Sequence, residues 1–524
     1  MPVVRGPVGL VMARRGRNRT ARRGEAQRGT GLRQRPYRQL RNSMPPLELL
    51  NAEQLQRIHD ASLQVLQEIG VNFLLPEARE ILQTAGASVT PGEDRVRFDP
   101  DMIAGLVAHA PSEFTGYSRN PDRRLHYGGG SLNISLIASP PNVSDIVNGR
   151  RPGNFADFKD LIRLGQSLNI AHQFAGYPVE PTDLHPSIRH LEAERAMLTL
   201  SDKMTYGYAL GRERILDSIE MVRIARGISQ EQLRREPSIF TVVNANSPLQ
   251  FDNHMLLGII EMARHGQPVI VTPFTLAGAM APVTIAGALV QQNAEALAGI
   301  AFAQAVNPGA PVMYGGFTSN VDMKSGSPAF GTPEYAKAVL IGGQLARRYG
   351  IPYRSSNTNA ANFPDAQATY ESQMSIWPCV LAHCNLMKHG LGWMEGGLCA
   401  SFEKVIIDAE MLQMMAEFLE PIAVEDGDLA LDAMREVGPG GHFFGCSHTM
   451  ERYETAFYSP LLSDWRNFES WQEDGAIDAT QRAHNIYRQL LADYQPPPMD
   501  PAVAEELDEY VDRRIAEGGV ATDF

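Results

Sequence analysis

The chain has 524 residues, 44% of them hydrophobic, which is enough apolar mass for one large core or two moderate ones and excludes general disorder. Its net charge of −13 hides an asymmetry: residues 1–43 carry twelve Arg and one acid, Glu25, which leaves −24 on the remainder. That acidic body argues against a broad nucleic-acid surface, no stretch supplies the roughly 20 clean apolar residues of a membrane span, and four Cys are too few for a disulfide framework.

In chain order, residues 1–43 read as a disordered, Arg-rich tail. Its "RRGRNRTARRG" is not followed by an apolar segment, so neither a secretory nor a twin-arginine signal is complete and the expected setting is cytoplasmic. Residues 44–130 read as an N-terminal α+β subdomain. There "NAEQLQRIHDASLQVLQEIGV" has helical periodicity, with Asn51 as N-cap and Gln54 at N3, and "RVRFD" reads as a strand beside the short helices "EAREILQTAG" and "PDMIAGLVAHA".

From about Ser131 an alternation begins. Strand-like pieces start near Asn133, Ile170, Met204, Ile239, Pro268, Pro311, Ile351 and Asn385, and helix patterns fill the gaps. Several helices have readable ends: Thr332 caps one with Pro333 at N1 and Gly350 past its end, and Gly227 and Gly266 close two others. Eight strand–helix alternations predict an α/β fold, a (β/α)8 TIM barrel over 131–420, with C-terminal helices in an extension, 421–524, packing on it. An open doubly wound sheet is the alternative, but "GGGSLN" precedes a strand and so lacks the dinucleotide fingerprint's context.

A barrel places chemistry at the C-terminal ends of its strands. Those ends are polar and aromatic here: "NANS", "TPFT", "YGGFTSN", "RSSNTNA" and "KHGLGWMEGG". The candidate substrate-binding residues are Tyr353, Trp393, Asn357, Asn359, Phe317, Tyr314, His389 and Glu395, with Lys388 and Arg354 as nearby cations; no catalytic residue is singled out. Aromatic faces with few charges suit a cation, each face contributing about 0.5–2 kcal/mol. Taken singly, a Tyr or Trp on a strand is more often core than cage, His389 also reads as a satisfied core histidine, and Glu395 as a partner of Lys388 or an arginine. Cys379, Cys384 and the adjacent His383 lack C-x2-C spacing, so no metal site is expected. The G-x-S-x-G, H-E-x-x-H and P-loop patterns are absent.

The blocks "YGGFTSNVDMKSGSPAFGTPEYA", "SSNTNAANFPDAQATYES", "GLGWMEGGLCASFEKVIIDAEML", "GPGGHFFGCSHT" and "RYETAFYSPLLSDWRNFESW" resemble the trimethylamine methyltransferase family, over roughly Asn51 to Trp471. The resemblance implies a (β/α)8 barrel that moves a methyl group from a methylated amine to the cobalt of a separate corrinoid protein. The corrinoid (cobalamin) would then be supplied by that partner and none would be bound tightly by this chain. The archaeal members carry pyrrolysine at a position that falls within Asn357–Ala361, where this chain has ordinary residues. Without that electrophile, the donor must bring its own activation. A quaternary ammonium does so, because it departs as a neutral tertiary amine, and so a betaine-like quaternary amine is the expected substrate. No nucleic-acid or membrane partner is expected, and a homo-oligomer is left open. The alternatives are a different TIM-barrel enzyme acting on a small acid and a non-catalytic barrel-fold binding protein.

Overall fold

The computed structural model describes residues 32–522. At its centre lie seven strands: β1 (Ser131–Leu136), β2 (Thr205–Tyr206), β3 (Ile239–Val243), β4 (Val269–Val271), β5 (Val312–Gly315), β6 (Tyr353–Ser356) and β7 (Leu386–Leu391). Their spatial order is β1-β7-β6-β5-β4-β3-β2, and every neighbouring pair is parallel. These strands are short runs buried on both faces, as a parallel sheet covered by helices requires.

Eight helices of at least twelve residues follow the strands, α1 (Phe155–Ser167), α2 (Arg189–Leu200), α3 (Arg212–Arg226), α4 (Asn253–Arg264), α5 (Ile285–Val306), α6 (Pro333–Tyr349), α7 (Ala366–Leu381) and α8 (Phe402–Phe418), with a shorter one, Gln230–Arg235, between α3 and β3. The eighth strand expected from sequence, near Ile170, shrinks to one residue. Gln173 forms parallel bridges to Ser135 on one side and Met204 on the other, so the sheet curls until its two ends meet across that residue. The cause is local. His172 Nδ1 accepts the Ile134 N–H at 2.9 Å, a side chain standing in for a ladder carbonyl, and Gly176 at φ 149° bends the chain soon afterwards.

The capping signals are realised. Asn51 and Gln54 form the reciprocal capping box, Thr332 Oγ1 accepts the Tyr335 N–H at 3.2 Å, and Gly227, Gly266 and Gly350 all take positive φ. Tyr353 explains why α6 tolerates Gly342 in its interior, where glycine normally costs about 1 kcal/mol. A Cβ at Gly342 would stand 2.6 Å from the Tyr353 hydroxyl, and one at Gly316 2.7 Å from it.

Two boundaries need correction. Residues 1–31 lie outside the described residues, but 32–43, assigned to the tail, are seated: Leu40–Arg41 pairs antiparallel with Leu132 and Ser131, and Asn42 Nδ2 donates to Val380 O at 2.7 Å. The C-terminal extension does not pack throughout. Helix Ala479–Ala492 lies on α8 and α1, and helix Pro501–Ala516 on α2 and α3, but 421–457 stands off. Among the described residues, no helix is long and apolar enough to cross a membrane.

Candidate functional site

All parallel strands end on one rim, and β6 and β7 supply its centre. Along β6 the side chains alternate, with Arg354 facing inward and Tyr353 outward toward α6. Along β7 the register shifts between Met387 and Leu391, and His389 adopts φ 57°, so that consecutive residues Lys388 and His389 both face the site.

Arg354 is 2% exposed and its guanidinium carbon lies 5.2 Å from the Phe317 ring centre. Its Nε and Nη1 have no hydrogen-bond partner among the described residues, and no carboxylate reaches it. Lys388 is also buried. Its ammonium lies 5.5 Å from the Tyr206 ring centre, again with no carboxylate in ion-pair range among the described residues. Burial pulls the Lys388 pKa far below the usual lysine range and Arg354 pulls it further. His389 is held neutral by burial first, then by Lys388 and Arg354. Its Nδ1 lies 3.1 Å from Ser356 Oγ. A buried guanidinium without a counter-ion costs several kcal/mol in a dry protein, and the same burial favours the neutral amine at Lys388 until an anion enters. A site built this way is complementary to an anion.

Aromatic rings wall this centre on two sides. On one, Phe317, Phe330 and Trp393 stand 5.6–6.1 Å apart, with His389 4.2 Å from Trp393 and Phe274 5.2 Å from Phe317. On the other, Tyr206, Tyr208 and Tyr177 meet edge to face at 5.0 and 4.4 Å. Tyr208 donates to Glu180 Oε1 at 3.1 Å, and a cavity of about 100 Å³ opens beside Tyr177, Glu180 and Tyr208. Burial raises the Glu180 pKa, opposed by Tyr208 and by Arg189, whose Nη1 is 3.9 Å away.

Of the residues expected from sequence, the structure brings together Phe317, Trp393 and His389. Tyr353 and Tyr314 are not part of the group. The Tyr353 hydroxyl donates to Val339 O at 2.9 Å in α6, and the Tyr314 hydroxyl donates to Asn293 Oδ1 at 3.0 Å in α5, so both rings belong to the layer between sheet and helices. Glu395 sits at the edge, bound to Arg150 at 2.9 Å.

Asn357 and Asn359 are fully buried and already engaged: Asn357 Nδ2 donates to Gly390 O at 3.0 Å, Asn359 Nδ2 to Trp393 O at 2.5 Å, and Trp393 Nε1 returns a bond to Asn359 O at 3.0 Å. Only their Oδ1 atoms lack partners. Their segment is held from behind by Glu371, which accepts the Ala360 and Ala361 N–H groups, and by Asp408, which accepts from Gly392 N and Asn357 Nδ2 and pairs with Lys404.

The sequence reading did not include Tyr206, Tyr208, Glu180 or Phe330. "MTYGYAL" did carry a signal for the tyrosines: Met204, Tyr206 and Tyr208 alternate and therefore share one face. Cys379 and Cys384 are buried and free and donate to carbonyls, while His383 turns away to Met44 O. Among the described residues, no three His, Cys, Asp or Glu side chains converge as a metal site.

Comparison with known proteins adds a lineage to this geometry. The family model described as trimethylamine methyltransferase matches residues 13–519. A glycine betaine methyltransferase of Desulfitobacterium hafniense is 34% identical over 91% of this chain and 99% of that protein. A trimethylamine methyltransferase MttB of another strain of that species is 30% identical, over 90% and 94%. The MttB of Methanosarcina barkeri is 27% identical, over 89% and 95%. A crystal structure of a hydroxylamine MtmB complex overlaps 88% of this chain and 89% of its own at 11% identity, with a TM-score of 0.49.

Proposed function

We propose a methyl donor and a methyl acceptor for this chain from one premise: it belongs to the trimethylamine methyltransferase family and is a methyltransferase. The donor is a quaternary amine that also carries a carboxylate, a betaine. The acceptor is a corrinoid protein, whose Co(I) supplies the nucleophile that takes the methyl group. The observation that carries the donor is the buried Arg354, a guanidinium with no carboxylate of its own, beside Lys388, an amine whose protonation burial and Arg354 oppose until an anion arrives. A donor carboxylate supplies the missing charge, and charge-assisted bonds to it are worth about 1.5–3 kcal/mol each.

The ammonium then lies against the faces of Tyr206 and Tyr208, with Glu180 behind them. In the transfer, the N–CH3 bond breaks with its electron pair staying on nitrogen. The amine leaves neutral, so this chain needs no acid to protonate it. Its residues position the donor, keep water out and aim one methyl group outward. The neutral state of His389 suits that role, since an imidazolium would repel the ammonium.

Residues on the loops fit an acceptor that approaches the rim. Val147, Leu210, Val283, Met323, Phe363 and Leu398, one from each of six strand-to-helix connections, expose apolar side chains there, and such a collar suits the edge of a corrin ring. The same reading takes the curled sheet as a (β/α)8 barrel, with Gln173 as its reduced second strand, and the four free cysteines suit a cytoplasmic setting.

The test is the initial rate of methyl transfer to Co(I) cobalamin, with glycine betaine, carnitine, proline betaine, choline and trimethylamine side by side. A carboxylated quaternary amine should be the best donor. Arg354→Gln should raise its KM about 10-fold to 150-fold and leave choline nearly unaffected. Trimethylamine as the best donor would overturn the proposal.

A further inference from the structure

The segment 421–457 lies outside the functional site and is unlike the rest of the molecule. It carries three short helices, Asp426–Leu429, Leu431–Val437 and Ser447–Arg452. Every hydrogen bond and ion pair seen for it is local, such as Arg435 with Asp432 and Tyr453 N to Thr449 O. Its apolar side chains face solvent: Ile422 is 89% exposed, Phe444 85%, Phe457 88% and Val424 70%. Leu431 and Met434 are each 54% exposed. Large apolar side chains this exposed and this close in sequence mark an interaction surface rather than ordinary scattered surface residues.

A second anomaly lies where this arm begins. The outer faces of α7 and α8 should be polar. Instead Tyr370, Met374 and Trp377 form an i, i+4, i+7 stripe on α7, and Met414 and Phe418 an i, i+4 pair on α8, all at least 38% exposed. Trp377 and Phe418 pack edge to face at 5.1 Å, joining the two into one patch. Phe418 is the last residue of α8, and the arm leaves the body just after it.

We infer that the arm 421–457 of one copy of this chain covers the α7–α8 stripe of a second copy. The occupant is argued from complementarity within a single sequence: one chain encodes both an apolar arm with no seat on its own body and an apolar seat with no cover. Neither half needs a foreign protein. The contact is heterologous, arm to stripe, so two-fold exchange or a closed ring both satisfy it. To be stable it must clear about 800 Å² per partner.

The experiment is sedimentation velocity on the full chain at micromolar concentration, with three samples beside the wild type. An arm variant, Phe444→Asp with Phe457→Asp, changes side chains that touch nothing in their own body. A stripe variant, Met374→Glu with Trp377→Glu, keeps the arm intact. The third sample is an equal mixture of the two variants. The wild type should be oligomeric, each variant alone monomeric with a cooperative melt, and the mixture should recover a dimer, because it contains one good arm and one good stripe. A monomeric wild type overturns the proposal. So does an arm variant that stays oligomeric, or a mixture that stays monomeric. Methyl-transfer rates are not the readout, so failure here leaves the assignment of donor and acceptor untouched.

Discussion

Glu194, on α2, shows how one side chain sets a pH dependence for the whole fold. It is 1% exposed and its carboxyl group accepts one bond, from Thr205 Oγ1 at 3.0 Å. Burial raises its pKa from 4.5 to about 8. The folded chain therefore keeps a proton that the unfolded chain releases between those values, and stability falls as pH rises through that window, at about 1.4 kcal/mol per pH unit for one proton. Glu194→Gln should flatten the fall between pH 5 and pH 8 in urea denaturation. Equal losses in wild type and variant would show that Glu194 ionises normally. Residue-level legibility in the sequence was uneven for a related geometric reason. Their place at predicted strand ends singled out Phe317, Trp393 and His389, which the structure brings together, whereas Tyr353 and Arg354 differ only in parity along β6. A one-residue choice of face sends one to α6 and the other to the site, and no sequence pattern fixes that choice in a strand buried on both sides.

At the scale of elements, the helices were legible because caps and glycines are local chemistry. The strand near Ile170 was not, because His172 replaces a ladder bond with its own ring, a tertiary event. The segment Asn357–Ala361 is likewise fixed from outside, by the buried Lys404–Asp408 pair. Burial pulls Lys404 down and Asp408 up, and their contact opposes both. Removing one partner of such a pair typically costs about 3–5 kcal/mol, while replacing both with apolar groups is often neutral. Asp408→Asn should therefore destabilise by that amount, and Lys404→Met with Asp408→Leu should recover most of it. Methyl transfer should stay low in both, because the single variant leaves one acceptor oxygen for the two donors Gly392 N and Asn357 Nδ2 and the double variant leaves none. A double variant with full activity would show that the pair has no part in positioning the segment.

At the scale of the whole molecule, residues 32–43 act as a strap across the end of the sheet opposite the site. Arg35 pairs with Glu417 at the end of α8, and its carbonyl accepts from Asn169 Nδ2 at 2.9 Å. Arg38 O lies 3.0 Å from His172 Nε2, and Gln39 Nε2 donates to Asn133 Oδ1 at 2.8 Å. Tyr37 takes the guanidinium of Arg123 at 4.4 Å from its ring centre. The strap thus closes the N-terminal end over His172, whose pKa burial lowers to about 3. Since His172 Nδ1 accepts from Ile134 N, its Nε2 carries the proton and donates to Arg38 O. Removing residues 2–43 exposes this imidazole and strips several hydrogen bonds worth about 1 kcal/mol each. The truncated chain should melt a few °C lower, at about 1 °C per kcal/mol for a chain of this length, and should lose stability more gradually below pH 6, because its His172 can now take a proton when folded. Methyl transfer at low temperature should persist, since Arg354 and Lys388 lie at the other rim. An unchanged melting temperature would show that the strap lies on the fold without supporting it.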